Sequence, residues 1–192
     1  ADSGERGVAL GAETRGFSLT VDASENPLKD RHQLKTILLC NPSFSLGPVT
    51  LQPALRLNSR YRREDTFQWR NDLRAELDLS SGPWMAHFRF NAVRCEEFSW
   101  LWYLEGGLKA GKSAVYLRGG LFKADKWNDR IYVYERDTPG SFNVPACYGR
   151  GWMCSLYARW RSLALRAATT RYPWMPDKSP RYELKFQVNL KY

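Results

Sequence analysis

The last twelve residues of the chain, 181–192, alternate strictly between polar and apolar side chains. A period of two predicts a β-strand with one polar and one apolar face. A strand in a soluble sheet usually has about five or six residues, whereas one of ~9–11 residues that ends in an aromatic suits a tilted crossing of a lipid bilayer. This stretch alone also fits an edge strand of a soluble, lipocalin-like barrel. Its apolar positions are Tyr182, Leu184, Phe186, Val188, Leu190 and Tyr192.

The same alternation recurs along most of the 192 residues, and polar or Gly- and Pro-containing turns separate the alternating stretches. No segment shows helical periodicity over ten residues. Pro53 falls inside one alternating stretch and predicts a bulge or a local distortion there. With a short strand at 130–135, the pattern predicts about twelve long strands. We therefore expect an all-β fold, a transmembrane antiparallel up-and-down β-barrel, formed by residues 1–192 as one domain or as part of a larger barrel.

Bulk hydropathy does not reveal such a protein. The mean hydropathy is −0.53 and no run approaches ~18 consecutive apolar residues, so no transmembrane helix is predicted. Alternating barrel strands give a much weaker hydropathy signal than helices. The chain is nevertheless rich in aromatics, with eight Trp, ten Tyr and nine Phe.

The two predicted faces differ in chemistry. Six Trp residues share the apolar face with Leu, Val and Phe, and several lie near predicted strand ends, as the interfacial girdles of a membrane barrel require. A soluble barrel of twelve strands with this face inside would need a large apolar ligand or a plug. The predicted lipid-interface aromatics are Trp69, Trp84, Trp100, Trp102, Trp152, Trp160 and Tyr192.

The polar face is biased towards cations, and the chain has a formal net charge of +9. Two interpretations remain open: these charges pair across strands and stiffen the wall, or their excess favours anionic solutes or nucleic acid. The predicted lumen-facing basic residues are Arg56, Arg60, Arg70, Arg74, Arg89, Arg118, Arg159, Arg161 and Lys185.

No enzyme is predicted. The sequence contains no GxSxG, P-loop or HExxH motif, and we identify no catalytic residue, metal ligand or cofactor. The four cysteines show no metal-binding spacing. Cys147 and Cys154 are near enough in sequence to form a disulfide, but free thiols fit equally well.

The segment 134–151, which reads YERDTPGSFNVPACYGRG, resembles the C-terminal barrel region of Bacteroidota proteins that carry helix-hairpin-helix (ComEA-like) repeats. The resemblance implies an outer-membrane barrel. This chain lacks the helix-hairpin-helix part, which suggests the C-terminal part of a longer barrel, or a split barrel closed by another chain. The segment is either an ordered external loop, a loop folded onto the lumen, or a docking surface. Its motif residues are Glu135, Arg136, Asp137, Pro139, Gly140, Pro145, Tyr148 and Gly149.

These observations predict an integral β-barrel of a Gram-negative bacterial outer membrane. It would act as a porin-like pore for transport, or as a barrel subunit of a larger outer-membrane complex. Its expected partners are outer-membrane lipid and either another chain that completes the barrel or other outer-membrane proteins. A non-conducting scaffold barrel that binds partner proteins is the alternative, and a soluble β-barrel that binds an apolar ligand is a third.

Overall fold

The computed structural model describes residues 6–26, 31–64 and 66–189. These residues form β-strands, loops and one short 3-10 helix, Trp127–Asp129. None of their helices is long and apolar enough to cross a membrane. The strands are β1 (Arg6–Thr14), β2 (Phe17–Asn26), β3 (Arg31–Cys40), β4 (Phe44–Leu46), β5 (Val49–Glu64), β6 (Thr66–Ser81), β7 (Trp84–Arg94), β8 (Phe98–Ala110), β9 (Ser113–Ala124), β10 (Ile131–Tyr132), β11 (Ala146–Cys147), β12 (Gly149–Trp160), β13 (Leu163–Arg171) and β14 (Arg181–Val188).

One antiparallel sheet contains every strand except β10 and β11. Its order is β1-β2-β3-β5-β6-β7-β8-β9-β12-β13-β14, and the short β4 pairs beside the start of β5. The all-β, antiparallel, mostly up-and-down arrangement predicted from the period of two is confirmed. Within the described residues β1 and β14 do not pair with each other, so the sheet is not closed.

The short strand predicted at 130–135 is confirmed in part: Ile131–Tyr132 forms β10. It pairs with Ala146–Cys147 in a separate two-stranded ribbon, so it does not add a strand to the large sheet. The path through the large sheet therefore contains eleven strands among the described residues. Because successive neighbours are antiparallel, β1 and β14 run in the same direction.

The two ends of the sheet differ. Two-residue turns at 15–16, 82–83, 111–112 and 161–162 join strands at one end, which we call the turn end. Gly82 and Gly111 have φ of 54° and 56° there, as tight hairpin turns favour. At the opposite loop end, longer connections span 95–97, 125–148 and 172–180. Strand β14 runs towards the turn end.

The bulge predicted at Pro53 is wrong. The register between β5 and β6 continues through the pair Pro53↔Leu77. On the other side of β5, β4 pairs with residues up to Leu51 and β3 pairs from Leu55 onward. Pro53 therefore lies in the gap between two partner strands, where its missing N–H costs no ladder hydrogen bond.

The hydrophobic core lies on the polar face of the sheet. Apolar residues there pack against the segment 125–148, which we call the inner segment. This core consists of Val93, Leu101, Tyr103, Phe122, Ile131, Val133, Cys147 and Met153, with Tyr172 packed against it. The inner segment thus gives the polar face a buried apolar patch as well as charges.

Candidate functional site

The register places most of the predicted basic residues on the polar face. Arg56 lies opposite Arg74, and Arg60 lies opposite Arg70. Arg89, Arg118, Arg159 and Lys185 occupy polar-face positions on β7, β9, β12 and β14. Arg161 is an exception, because β12 ends at Trp160 and Arg161 lies in the following turn with φ of 53°. Its guanidinium lies 5.5 Å from the centroid of the Trp160 ring, so the prediction that it faces a lumen is wrong.

Three of these arginines hold the backbone of the inner segment. Arg70 Nη2 donates to the Arg130 carbonyl at 2.8 Å, and Arg70 Nη1 donates to the Asn128 carbonyl. Arg89 Nη2 donates to the Tyr132 carbonyl at 3.0 Å, and Arg118 Nη1 donates to that of Tyr134 at 2.7 Å. Arginines from β6, β7 and β9 therefore bind the carbonyls of residues 130, 132 and 134, which fixes the inner segment across the sheet.

Three consecutive motif residues then reach three further strands. Glu135 pairs with Arg166 of β13. Arg136 Nε donates to Glu105 Oε1 of β8 at 2.8 Å, and Lys185 Nζ of β14 donates to Asp137 Oδ2 at 2.6 Å. The inner segment is thus folded onto the polar face, which was one of the arrangements left open by the sequence.

A buried ion pair lies under these contacts. Glu105 Oε2 accepts from Arg118 Nε at 3.0 Å and from Arg118 Nη2 at 2.7 Å, and both residues are less than 5% exposed. The Arg118 guanidinium also lies 4.2 Å from the centroid of the Tyr103 ring. Arg136 lies 3.8 Å from the centroid of the Tyr116 ring. Such a bidentate pair fixes geometry, and loss of one partner would leave a buried charge alone.

Side-chain contacts also anchor the two ends of the inner segment. Arg150 at the start of β12 donates to both carboxylate oxygens of Asp125, at 2.7 and 2.8 Å, which holds the pKa of Asp125 below its usual value. Lys178 Nζ donates to the Tyr148 carbonyl. The Trp127 and Tyr148 rings meet edge to face with centroids 5.5 Å apart. These contacts close the base of the inner segment at the loop end.

The remaining motif residues form turns. Pro139 and Gly140 are exposed, and Gly140 has φ of 82°. The Pro145 carbonyl accepts from the Val133 N–H at 3.2 Å, which keeps the two arms of the inner segment together. Gly149 has φ of 92° where the chain enters β12. These residues shape the inner segment, whereas Glu135, Arg136 and Asp137 attach it to the sheet.

The apolar face is left uncovered. The Trp side chains on this face form two groups, one towards each end of the sheet. Leucines occupy the middle of the strands between the two groups. Trp84 and Trp160 lie at the turn end and are 65% and 59% exposed. Trp102 and Trp152 lie towards the loop end in one row across Leu121. The Trp69 and Tyr61 rings are tilted at 45° to each other with centroids 4.9 Å apart, and Trp100 lies on the same face. Tyr192 lies outside the described residues.

Leucines occupy the region between the two Trp groups. Leu117 pairs with Leu156, Leu156 with Ala167, and Ala167 with Leu184, so one apolar row crosses β9, β12, β13 and β14. Leu117 and Leu184 are 57% and 75% exposed. Along β12, Trp152 and Trp160 are eight residues apart, or about 26 Å along the strand and ~20 Å after a tilt of 35–45°. This spacing is close to the ~25 Å apolar band of membrane barrels.

Sequence reasoning missed Asp129 and the pairing of two other residues that hold the site. Asp129 is fully buried, and its carboxylate accepts the backbone N–H groups of Cys95 at 2.6 Å and Glu97 at 2.8 Å. Arg166 and Glu183 form a 2.8 Å ion pair beside Glu135. The alternation marked Arg166 and Glu183 as polar-face positions, but nothing local in the sequence marked Asp129, whose partners are 32–34 residues away.

The described residues give no sign of a metal centre or disulfide. No group of three or more His, Cys, Asp or Glu among them is arranged to hold a metal ion. No disulfide joins any of Cys40, Cys95, Cys147 and Cys154. No protein-family model matches this chain, and comparison with curated proteins and with solved structures finds no match either.

Proposed function

We propose that this chain is a barrel-forming protein of a bacterial outer membrane, with the apolar face towards lipid and the polar face towards an interior occupied by the inner segment. The observation that carries this proposal is the uncovered apolar face, in which leucine rows lie between two groups of Trp that are exposed or half-buried. Soluble monomers rarely expose contiguous apolar patches larger than a few hundred Å². A soluble barrel that binds an apolar ligand fits less well, because in this chain the inner segment and the hydrophobic core lie on the opposite, polar face.

Barrel closure forms part of the proposal. A membrane-spanning sheet must close so that no backbone group is left unpaired in lipid. Since β1 and β14 run in the same direction, pairing them directly would make a parallel contact. Antiparallel closure needs an odd number of further strands, from another chain or from another part of the same polypeptide. The resemblance to the C-terminal part of a larger barrel agrees with this arrangement.

Within the barrel, the function that we favour is a pore that the inner segment closes. Arginine contacts to residues 130, 132 and 134 and the ion pairs of residues 135–137 keep the segment across the polar face. A wide barrel is polar inside and conducts unless a loop or plug fills it. A non-conducting scaffold is the second candidate, and the same observation favours it: an interior held by this many contacts suits a barrel that never opens.

Conductance of the assembly in planar bilayers tests this proposal. The double variant Arg136→Glu/Lys185→Glu places a carboxylate beside Glu105 and another beside Asp137, so like charges repel the inner segment from two strands. We expect the unsubstituted assembly to conduct little and the double variant to show long openings. Lys109→Glu/Lys112→Glu is the control, because it changes the charge equally but at the exposed turn end.

Three outcomes would count against parts of the proposal. A chain that stays in the aqueous fraction without detergent contradicts the membrane location. Equal, large conductance before and after substitution contradicts closure by the inner segment. If the double variant inserts normally and still carries no current, the scaffold replaces the pore.

A further inference from the structure

The inner segment covers only part of the polar face, and the charges on the uncovered part are arranged differently. On β6 to β14, the polar-face arginines that lie near the inner segment contact carboxylates or carbonyls, as in Arg118 with Glu105 and Arg70 with Arg130. On β3 and β5, three cationic side chains, Lys35, Arg56 and Arg60, make no ion pair or hydrogen bond within the described residues. Two regions of one face therefore differ in whether their positive charge is neutralised.

The register brings these cations close together. Lys35 lies directly opposite Arg60, and Arg60 lies directly opposite Arg70 on its other side. Adjacent strands are about 4.8 Å apart, so three cations occupy one row across three strands. Like charges placed directly opposite each other destabilise a sheet. Arg70 is satisfied by the inner segment, whereas Arg60 has a cation on each side and no counter-ion among the described residues.

A polar group without a partner lies in the same place. Asn58 is between Arg56 and Arg60 on the polar face of β5, and its Oδ1 is buried without a hydrogen-bond partner among the described residues. Buried polar groups are nearly always hydrogen-bonded. Oδ1 is an acceptor, but an amide flip, which exchanges Oδ1 and Nδ2, places N–H donors at the same position. In that orientation the amide and the two unpaired guanidiniums make up the donor set that an oxyanion requires.

The acidic groups nearby do not neutralise this site. Asp22 lies opposite Lys35 and offsets one positive charge. Asp72 lies opposite Asn58, but it accepts from Asn91 Nδ2 at 3.0 Å and lies 4.0 Å from Arg70. Glu76 pairs with Arg74. Arg56 and Arg60 therefore remain uncompensated by the acidic side chains that the structure describes.

We propose that Lys35, Arg56, Asn58 and Arg60 form a binding site for an oxyanion solute, of the phosphate or polyphosphate class, beside the inner segment. Arg side chains bind tetrahedral and planar oxyanions through paired N–H donors, and Asn58 supplies a neutral donor between them. The site deepens the proposed function by giving the chemical class of the solute, and it rests on that function only for the statement that this face lines a channel.

Calorimetric titration of inorganic pyrophosphate into the full chain in detergent, at constant ionic strength, tests the site. Arg60→Gln should weaken binding by about tenfold or more, as expected for a charged hydrogen bond. Asn58→Asp places a carboxylate between the two arginines. It should abolish pyrophosphate binding, because the new carboxylate repels the anion and pairs with the arginines in its place.

Arg159→Gln is the matched control. Arg159 is also a polar-face cation without an ion pair among the described residues, but its cross-strand neighbours are Ala114 and Ala164. Binding within twofold of the unsubstituted protein is expected. If Arg159→Gln weakens binding as much as Arg60→Gln, bulk charge and not a site binds the anion. Unchanged binding in Asn58→Asp likewise overturns the site. The titration needs no membrane, so the site and the membrane proposal fail separately.

Discussion

At the scale of single residues, the immediate neighbours of a charged side chain on the polar face determine whether its charge is neutralised. Arg118 is nearly inaccessible to solvent, and its guanidinium contacts Glu105, the Tyr134 carbonyl and the face of the Tyr103 ring. Arg159 lies at an equivalent alternating position but has alanines beside it. The alternation of the sequence assigned both residues to the polar face, but it contains no information on which of them is paired.

Cys147 gives a pH-dependent prediction at this scale. Burial in the inner segment, with the Glu135 carboxylate as a smaller contribution, raises the pKa of its thiol from 9.0 to about 12. Because the folded-state pKa is higher than the unfolded one, the protonated thiol contributes to the unfolding free energy fully at pH values below 9. That contribution is lost as the pH rises towards 12. By pH ~10.5 the loss should be about 2 kcal/mol.

Urea unfolding in detergent, with reductant present, measures this effect against Cys147→Ser, whose hydroxyl does not titrate in this range. The difference in unfolding free energy between the two proteins should shrink by about 2 kcal/mol from pH 8 to pH ~10.5. Cys147→Ala, which removes the polar group altogether, should show the same convergence. A difference that stays constant with pH would mean that the thiol ionises equally well in the folded protein.

The limit of residue-level prediction is visible in Arg159 and Arg161. A strict period of two puts them on the same face, and Arg161 would face inward if β12 continued. The strand ends at Trp160, and Arg161 adopts the positive φ of a tight turn. Ser162 is a common turn residue, but Arg161 is not, and one Ser without a Gly or Pro beside it did not mark the end of the strand.

At the scale of elements, the strands were predictable and the inner segment was not. The period of two is a local property, so it identified the long strands of the sheet and their faces without knowledge of the fold, but not the three-residue β4. The position of residues 125–148 depends on ion pairs such as Arg136 with Glu105 and Lys185 with Asp137, which join residues 31 and 48 positions apart. The sequence left this segment as an external loop, a loop on the lumen or a docking surface, because no local pattern distinguishes them.

Gly149, where the inner segment returns to the sheet, gives a prediction for this element. Its φ is 92°, and a Cβ atom there would lie 2.6 Å from Met175 Sδ and 3.1 Å from Lys178 Nζ. Gly149→Ala should lower the unfolding free energy by at least ~1–2 kcal/mol, the usual cost of a left-handed conformation for an L-residue. Displacement of Lys178 from the Tyr148 carbonyl would add to this loss.

Gly119→Ala is the control for Gly149→Ala. Gly119 lies on the apolar face of β9, where a Cβ atom would meet nothing within 4 Å. Alanine in a strand interior is favoured over glycine by about 0.5–1 kcal/mol through lower chain entropy, so this variant should be neutral or slightly more stable. Equal stability of the two variants in chemical denaturation would show that the entry into β12 tolerates a side chain.

At the scale of the whole molecule, the eleven strands determine how the sheet can close. The sequence predicted the meander and left the strand count open, since it depended on residues 130–135. Those residues form part of the inner segment, so β1 and β14 remain parallel edges. Closure is a property of the two most distant strands, and no local pattern of either strand encodes it.

The environment of the apolar face is a whole-molecule property that two matched substitutions can measure. Leu117 and Phe98 are 57% and 58% exposed on the same face. Leu117 is midway along β9 between Ser113 and Leu121, the partners of Trp160 and Trp152. Phe98 is the first residue of β8, two positions beyond Trp100 towards the loop end. The proposed bilayer therefore places Leu117 near its centre and Phe98 at its surface.

Arginine substitutions at these two positions distinguish a lipid environment of the apolar face from an aqueous one. In a bilayer, Leu117→Arg should cost about 2–4 kcal/mol of unfolding free energy and Phe98→Arg only ~0–1, because the cost of a charge depends on depth. In water, both changes should stay within ~0.5 kcal/mol, since both side chains are equally exposed. Urea unfolding in lipid vesicles measures the difference between the two variants. A difference near zero places the apolar face in water, whereas a large penalty confined to Leu117 places a hydrocarbon layer between the two Trp groups.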